Sequence, residues 1–115
     1  MRITQRTSQG ITVLELDGKL TTDKGAELLR DKITSIFSQG HSKVVLNMAG
    51  VPHVDSGGLG ELVRCYLAAQ RANGSVKLIG LNGRVVNLLT ITKLITVFET
   101  YDTEQQALDS FAARV

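Results

Sequence analysis

An aspartate followed directly by a serine is the pair of residues in this chain best suited to chemistry. Asp55 and Ser56 stand in the segment 51–60, VPHVDSGGLG, where three glycines come soon after the serine. If a helix starts there, the hydroxyl lies beside unpaired backbone N–H groups and the positive end of the helix dipole. Such a position can hold a phosphate, either as a bound ligand or attached covalently to the serine.

The segments on either side place this pair at the junction of a strand and a helix. Residues 44–48, VVLNM, form a short apolar run, typical of a strand buried on both faces. After the pair, apolar residues recur at helical spacing as far as the stop signal Asn73-Gly74, namely Leu59, Leu62, Val63, Tyr66 and Leu67. In open α/β sheets, function gathers at the carboxyl ends of the strands, which is where this pattern places Asp55 and Ser56.

The remaining pattern predicts an α/β domain in the order ββαβαβαβα. An antiparallel N-terminal hairpin turns at Gln9-Gly10, and the helical crossovers that follow imply parallel strands. We therefore predict a mixed sheet covered by about four helices, most of them on one face. The predicted strands are 3–8, 11–16, 43–48, 76–80 and 96–98, and the predicted helices begin at the N-cap Thr22-Asp23, at Ser56, at Gly83 and at the capping box Thr103–Gln106.

Composition narrows the class of protein. The 115 residues suit a single domain, 1–115, and the apolar fraction of 43% is that of an ordinary globular protein. A net charge of +2 without a basic block, and the lack of tryptophan, argue against nucleic acid as a partner. A single cysteine, Cys65, excludes an intrachain disulfide, and no apolar run approaches the length of a membrane helix. We expect a cytoplasmic protein that does not bind a membrane.

Enzymatic interpretations of the Asp55-Ser56 pair are weak. The segment 55–58, DSGG, is similar to the nucleophile segment of trypsin-like proteases, but this chain is short and helix-rich, and His53 has no evident carboxylate partner. The glycine-rich stretch 57–60 lacks a P-loop lysine and the third glycine of a dinucleotide fingerprint, so nucleotide binding is also a weak alternative. His41, His53 and Cys65 have no metal-ligand spacing. We predict no catalytic residue, no metal and no cofactor.

Several residues also have a purely structural interpretation. Ser56 can serve only as the cap of the helix. Gly57, Gly58 and Gly60 each lower helix propensity by up to ~1 kcal/mol relative to alanine. They either let the helix start pack tightly on neighbouring backbone or leave room for a partner. By default Glu61, Arg64 and Arg71 form a solvated helix face, and Cys65 is a small buried residue.

The segment 55–60, DSGGLG, resembles the Asp-Ser-(Ser/Thr)-Gly-Leu-Gly hallmark of the STAS domain family, and within it the bacterial anti-sigma factor antagonists. Residues 16–20, LDGKL, resemble the Leu-x-Gly-x-Leu strand end of the family, and segments 45–48, 73–74 and 80–94 resemble its central strand, its turn and its third helix. The resemblance therefore covers nearly the whole chain.

This resemblance implies a protein switch. Family antagonists bind, when unphosphorylated, an anti-sigma factor that is also a serine kinase, and this frees a sigma factor. The kinase phosphorylates the serine that matches Ser56, and a serine phosphatase reverses the reaction. The implied partner surface comprises Asp55, Ser56, Gly57, Gly58, Leu59 and, in the facing loop, Thr22 and Asp23.

Two departures from the family pattern matter. Gly57 replaces the usual second hydroxyl of the motif, which leaves Ser56 as the only target in it. Thr21 stands where the family often has an aspartate, so we expect the facing loop to differ in partner choice. The resemblance implies a protein that is not an enzyme, and we expect a monomer that forms heteromeric complexes. The alternative is a STAS scaffold or sensor subunit that binds its partners independently of phosphorylation.

Overall fold

The computed structural model describes residues 1–112, and within them the predicted element order ββαβαβαβα is confirmed. The strands are β1 (Arg2–Ser8), β2 (Ile11–Asp17), β3 (Lys43–Gly50), β4 (Ser75–Ile79) and β5 (Glu99–Tyr101). The helices are α1 (Ala26–Ser38), α2 (Ser56–Arg71), α3 (Gly83–Ile91) and α4 (Glu104–Ala112).

The five strands form one mixed sheet in the order β1-β2-β3-β4-β5. β1 pairs with β2 as an antiparallel hairpin, and the other pairs are parallel, as the sequence predicts. The hairpin turns at Gln9 and Gly10, whose φ angles of 55° and 78° suit a tight turn of the primed type. Because β2, β3 and β4 run parallel, their carboxyl ends lie along one edge of the sheet.

Each face of the sheet has its own apolar core. Alternate residues of β3 separate to the two sides: Val44, Leu46 and Met48 pack with the buried faces of α1, α2 and α3, whereas Val45 packs with α4. Three helices therefore cover one face and α4 covers the other, which agrees with the prediction that most helices share a face. The side of the sheet that carries α2 also carries the larger core.

The start of α4 and its contact with the sheet have clear causes. Thr103 and Gln106 form the predicted capping box, with Gln106 N donating to Thr103 Oγ1 (3.2 Å) and Thr103 N donating to Gln106 Oε1 (3.3 Å). Under α4, the fully buried Lys77 donates to Ser110 Oγ (2.6 Å), and its Nζ lies 4.1 Å from the centroid of the Phe111 ring. These contacts hold α4 against β4.

Two predicted boundaries are wrong. Helix α1 does not begin at Thr22-Asp23. It begins at Ala26 after Gly25, whose φ of 89° ends a tight loop. The last strand is not 96–98, because Val97 N and Phe98 N both donate to Leu94 O in a turn (2.9 and 3.3 Å). The strand begins only at Glu99.

Candidate functional site

The loop that precedes α2 is joined to the loop between β2 and α1. Leu20 N donates to His53 O (3.0 Å), Asp55 N donates to Leu20 O (3.3 Å), and Leu20 and Val54 form an isolated parallel bridge. The two chain segments therefore extend the pairing of β2 and β3 beyond the sheet. Residues around Thr22 are held against the start of α2 by this extension.

Asp55 is the N-cap of α2. Its Oδ1 accepts a hydrogen bond from Gly58 N (2.8 Å), and its two carboxylate oxygens accept from Thr22 N at 3.1 and 3.0 Å. The Thr22 N–H bond, followed by the Gly58 N–H bond, lowers the pKa of Asp55 below its ordinary value. The carboxylate is therefore ionised at neutral pH and connects the helix start to the facing loop.

Ser56 is the first residue of α2 rather than its cap. The interpretation of Ser56 as a cap is wrong, because the Asp55 side chain fills that role. Ser56 is exposed, and its hydroxyl forms no hydrogen bond with any other residue in the range 1–112. The hydroxyl is thus at the positive end of the helix without a structural task.

The three glycines of the motif were expected either to let the helix start pack tightly or to leave room for a partner, and the structure separates them. A Cβ on Gly58 would overlap the Leu20 carbonyl oxygen, and a Cβ on Gly57 would overlap Thr22 Oγ1 and lie 2.8 Å from Thr22 Cβ. These two glycines permit close packing of the helix start on the facing loop. A Cβ on Gly60, by contrast, would meet nothing within 4 Å. Of the three, only Gly60 leaves exposed backbone without a packing reason.

The facing loop brings one of its two predicted site residues to the motif. Thr22 is exposed, and its Oγ1 lies 3.5 Å from Asp55 Oδ1. Asp23 is also exposed, but its Oδ1 accepts a hydrogen bond from Thr21 Oγ1 (2.8 Å) within its own loop. Thr21, where the family often has an aspartate, is only 7% exposed. Leu59 is half-buried and packs against the core.

A buried carboxylate on α2 that pairs with two partly exposed arginines was not predicted from the sequence. Glu61, expected on a solvated face, is 3% exposed. Its Oε1 lies 3.2 Å from Arg30 Nε on α1, and its Oε2 lies 2.8 Å from Arg64 Nη2. The hydrogen bond to this carboxylate raises the pKa of Arg64. The local sequence does not indicate this burial, because the α1 partner of Glu61 is 31 residues away in sequence.

Cys65 and His53, two further candidate groups, lie in different surroundings. Cys65 is fully buried, as predicted, and burial raises the pKa of its thiol, which disfavours the reactive thiolate. The His53 side chain lines an apolar groove of about 210 Å³ beside α3, together with Arg84, Leu88 and the 69% exposed Ile91.

Within residues 1–112, no group of three or more His, Cys, Asp or Glu side chains is arranged to hold a metal ion. None of the helices in this part of the chain has the length and apolar character needed to cross a membrane.

A family model described as the STAS domain matches residues 2–107. A protein of Thermotoga neapolitana, named as a candidate anti-sigma factor antagonist, is 28% identical over 103 residues, which cover 89% of this chain and 91% of that protein.

Solved structures share the fold. A crystal structure of a candidate anti-sigma factor antagonist from Thermotoga maritima has a TM-score of 0.88 at 22% identity, and the match covers 94% of this chain and 92% of that one. SpoIIAA, an anti-sigma factor antagonist, matches in its unphosphorylated form with a TM-score of 0.74 at 16% identity, covering 99% of this chain and 100% of that one. The phosphorylated form of SpoIIAA from Bacillus matches with a TM-score of 0.73 at 20% identity, covering 96% and 99%.

Proposed function

The chain belongs to the STAS domain family, and we propose that it is an anti-sigma factor antagonist controlled by phosphorylation of Ser56. In the proposed cycle the unphosphorylated protein binds, in the cytoplasm, an anti-sigma factor that is also a serine kinase, and a sigma factor is released. Phosphorylation of Ser56 ends the complex, and a serine phosphatase restores it. The observation that carries this proposal is the exposed Ser56 hydroxyl, which has no structural task because Asp55 caps the helix.

The physical basis of the switch is charge. A phosphate on Ser56 adds about −1.5 to −2 charges at neutral pH. The N-terminus of α2 tolerates this charge, but the neighbouring Asp55 carboxylate, whose pKa is lowered by its backbone hydrogen bonds, repels it. A doubly charged group is also costly to remove from water when a partner covers it. The complex should therefore fail while the domain remains folded.

The proposed partner surface consists of the motif residues and the facing loop. Its predicted members are Asp55, Ser56, Gly57, Gly58, Leu59, Thr22 and Asp23. Gly60 supports this assignment, because its open Cα sits one turn after Ser56 and lets a partner approach the helix backbone. We assign no catalytic step to the chain, since the Asp55 carboxylate is occupied by backbone N–H groups.

The test is a capture experiment from lysate of the source organism with three baits. Wild-type protein and the Ser56→Asp variant are compared with Thr34→Asp, which places the same charge on an exposed position of α1. We expect mass spectrometry to find a serine kinase or anti-sigma factor on the wild-type and Thr34→Asp baits and not on Ser56→Asp. The same partner on all three baits would instead favour a STAS scaffold that ignores phosphorylation. Lack of any such partner on the wild-type bait would refute the antagonist function.

A further inference from the structure

Thr22 fills the space that a side chain on residue 57 would need. A Cβ built on Gly57 would overlap Thr22 Oγ1, lie 2.8 Å from Thr22 Cβ and lie 3.0 Å from Thr22 Cα. Distances below 3.0 Å are not found for real Cβ atoms. Thr22 and Gly57 are therefore a matched pair, in which the presence of one side chain requires the absence of the other.

The backbone fixes this pair in place. Thr22 N donates to both carboxylate oxygens of Asp55, and Asp55 Oδ1 also accepts from Gly58 N. Since Asp55 directly precedes Ser56, the Thr22 side chain lies over the first turn of the same helix. Its hydroxyl thus takes the place of a side chain on the residue after Ser56.

The Thr22 hydroxyl has capacity left for a partner. Within residues 1–112 its one hydrogen bond is the long 3.5 Å contact with Asp55 Oδ1, and the residue is exposed. Thr21, by contrast, is 7% exposed and directs its hydroxyl to Asp23 and to Lys24 O. Of the two adjacent threonines, Thr22 alone offers its hydroxyl next to the motif.

We propose that Thr22 is a specificity-determining residue of the Ser56 site: its hydroxyl binds the partner kinase as the second hydroxyl of the recognised surface, delivered from the loop between β2 and α1 rather than from α2. This inference rests on the function proposed above and adds the residue that selects the partner. It identifies the partner group as one that hydrogen-bonds to a hydroxyl and lies next to Ser56, the phosphate acceptor.

The first test measures Ser56 phosphorylation by the purified kinase recovered in the capture experiment, with Mg²⁺–ATP as the second substrate. Thr22→Val keeps the shape of the side chain and the N–H bond to Asp55 but removes the hydroxyl. We expect KM for the protein substrate to rise by roughly threefold to tenfold, as for the loss of one neutral hydrogen bond, with kcat unchanged. Thr22→Ser should restore KM, and Thr34→Val on α1 should match wild type.

The second test needs no partner. Gly57→Ala is expected to lower the thermal midpoint in the wild-type background, because the new Cβ meets Thr22. In a Thr22→Gly background, which removes the two closest of those contacts and leaves the Cα of residue 22 at 3.0 Å, the same substitution should lower the midpoint by clearly less. Equal losses in the two backgrounds would show that the residues are not coupled, and the matched pair would be refuted.

The outcomes separate the two proposals. If the kinase does not phosphorylate Ser56 in the wild-type protein, the antagonist function fails, and the role of Thr22 fails with it. If the kinase phosphorylates wild type and Thr22→Val with the same KM, only the role of Thr22 is overturned. A raised KM for Thr22→Val that Thr22→Ser does not restore would also overturn it, since the hydroxyl would then not be the recognised group.

Discussion

At the scale of single residues, Asp55 stabilises two backbone segments with one carboxylate. It satisfies Gly58 N at the start of α2 and Thr22 N in the loop after β2, which lies 33 positions earlier in the chain. An N-cap usually serves only its own helix. Because Asp55 serves both, the Ser56 hydroxyl and the facing loop are held in a fixed relation before any partner arrives.

This arrangement predicts a pH-dependent contribution of Asp55 to stability. Its folded pKa is lowered, chiefly by the Thr22 N–H bond, so the folded state binds its proton less readily than the unfolded state. The contribution is therefore complete above the unfolded pKa of about 3.9 and is lost as the pH falls through the lower folded value. Asp55→Asn, which keeps a capping side chain, should be less stable than wild type at pH 7 and should approach wild type at acid pH.

Urea unfolding of wild type and Asp55→Asn between neutral and strongly acid pH measures this difference. Asp109→Asn, on the exposed side of α4, reports the pH dependence that follows from removing any surface carboxylate. A stability difference between wild type and Asp55→Asn that stays constant down to the lowest pH would contradict the assigned role of the charge.

At the scale of elements, the contact between α1 and α2 depends on the buried Glu61 carboxylate. The Arg30 and Arg64 side chains that pair with it are 55% and 36% exposed, so the arginines can return to water while the carboxylate cannot. Removing the buried carboxylate and removing its arginine partners should therefore lower the free energy of unfolding by different amounts.

We expect Arg30→Met combined with Arg64→Met to lower the free energy of unfolding by about 3–5 kcal/mol, because the buried Glu61 loses both cations and keeps only the weak Cys65 Sγ–H donor at 3.3 Å. Glu61→Met conserves volume and leaves two arginines able to hydrate, so its cost should stay within about 1.5 kcal/mol. Denaturant unfolding of both variants at neutral pH tests whether the double arginine variant loses more stability than Glu61→Met. Equal costs would mean that the carboxylate is not desolvated in the folded protein.

Local patterns predicted the elements well where contacts near in sequence determine them. The hairpin turn at Gln9-Gly10, the start of α3 at Gly83 and the Thr103–Gln106 capping box are all confirmed. Each depends on residues within a few positions of one another. The predicted apolar stripe of α2 is confirmed in part: Leu62 is buried and Leu59, Val63 and Tyr66 pack against the core, whereas Leu67 is 43% exposed. The start of that helix at Ser56 is confirmed.

Two of the errors occurred where residues distant in sequence come into contact, whereas the misplaced last strand reflects a local turn in which Val97 N and Phe98 N donate to Leu94 O. Thr22 has the chemistry of an N-cap, but its N–H binds Asp55, and α1 starts four residues later. Glu61 looks like a surface residue until Arg30 is brought beside it. The list of partner-binding residues stays a prediction, although the contact of Thr22 with the motif supports part of it.

At the scale of the whole molecule, the proposed switch acts on a surface and not on the core. Ser56 lies at the edge of the sheet where parallel strands end, and the cores on the two faces do not include it. Because Ser56 lies outside both cores, a modification there has no direct route to the packing of the sheet. The assignment of residues 1–115 as one domain stays a prediction, and the family match extends over residues 2–107.

Phosphorylation of Ser56 is accordingly expected to leave the fold intact. A negative charge at a helix N-terminus stabilises by roughly 0.3–1 kcal/mol, and repulsion from Asp55 opposes this, so the free energy of unfolding should change by no more than about 1 kcal/mol. Amide NMR spectra of the phosphorylated and unphosphorylated protein should differ only near residues 20–25 and 53–60. Ser56→Ala treated with the same kinase is the control for modification elsewhere. Shifts spread through the buried strands β3 and β4, or loss of the folded spectrum, would mean that the phosphate acts by disrupting the domain and not by blocking its partner surface.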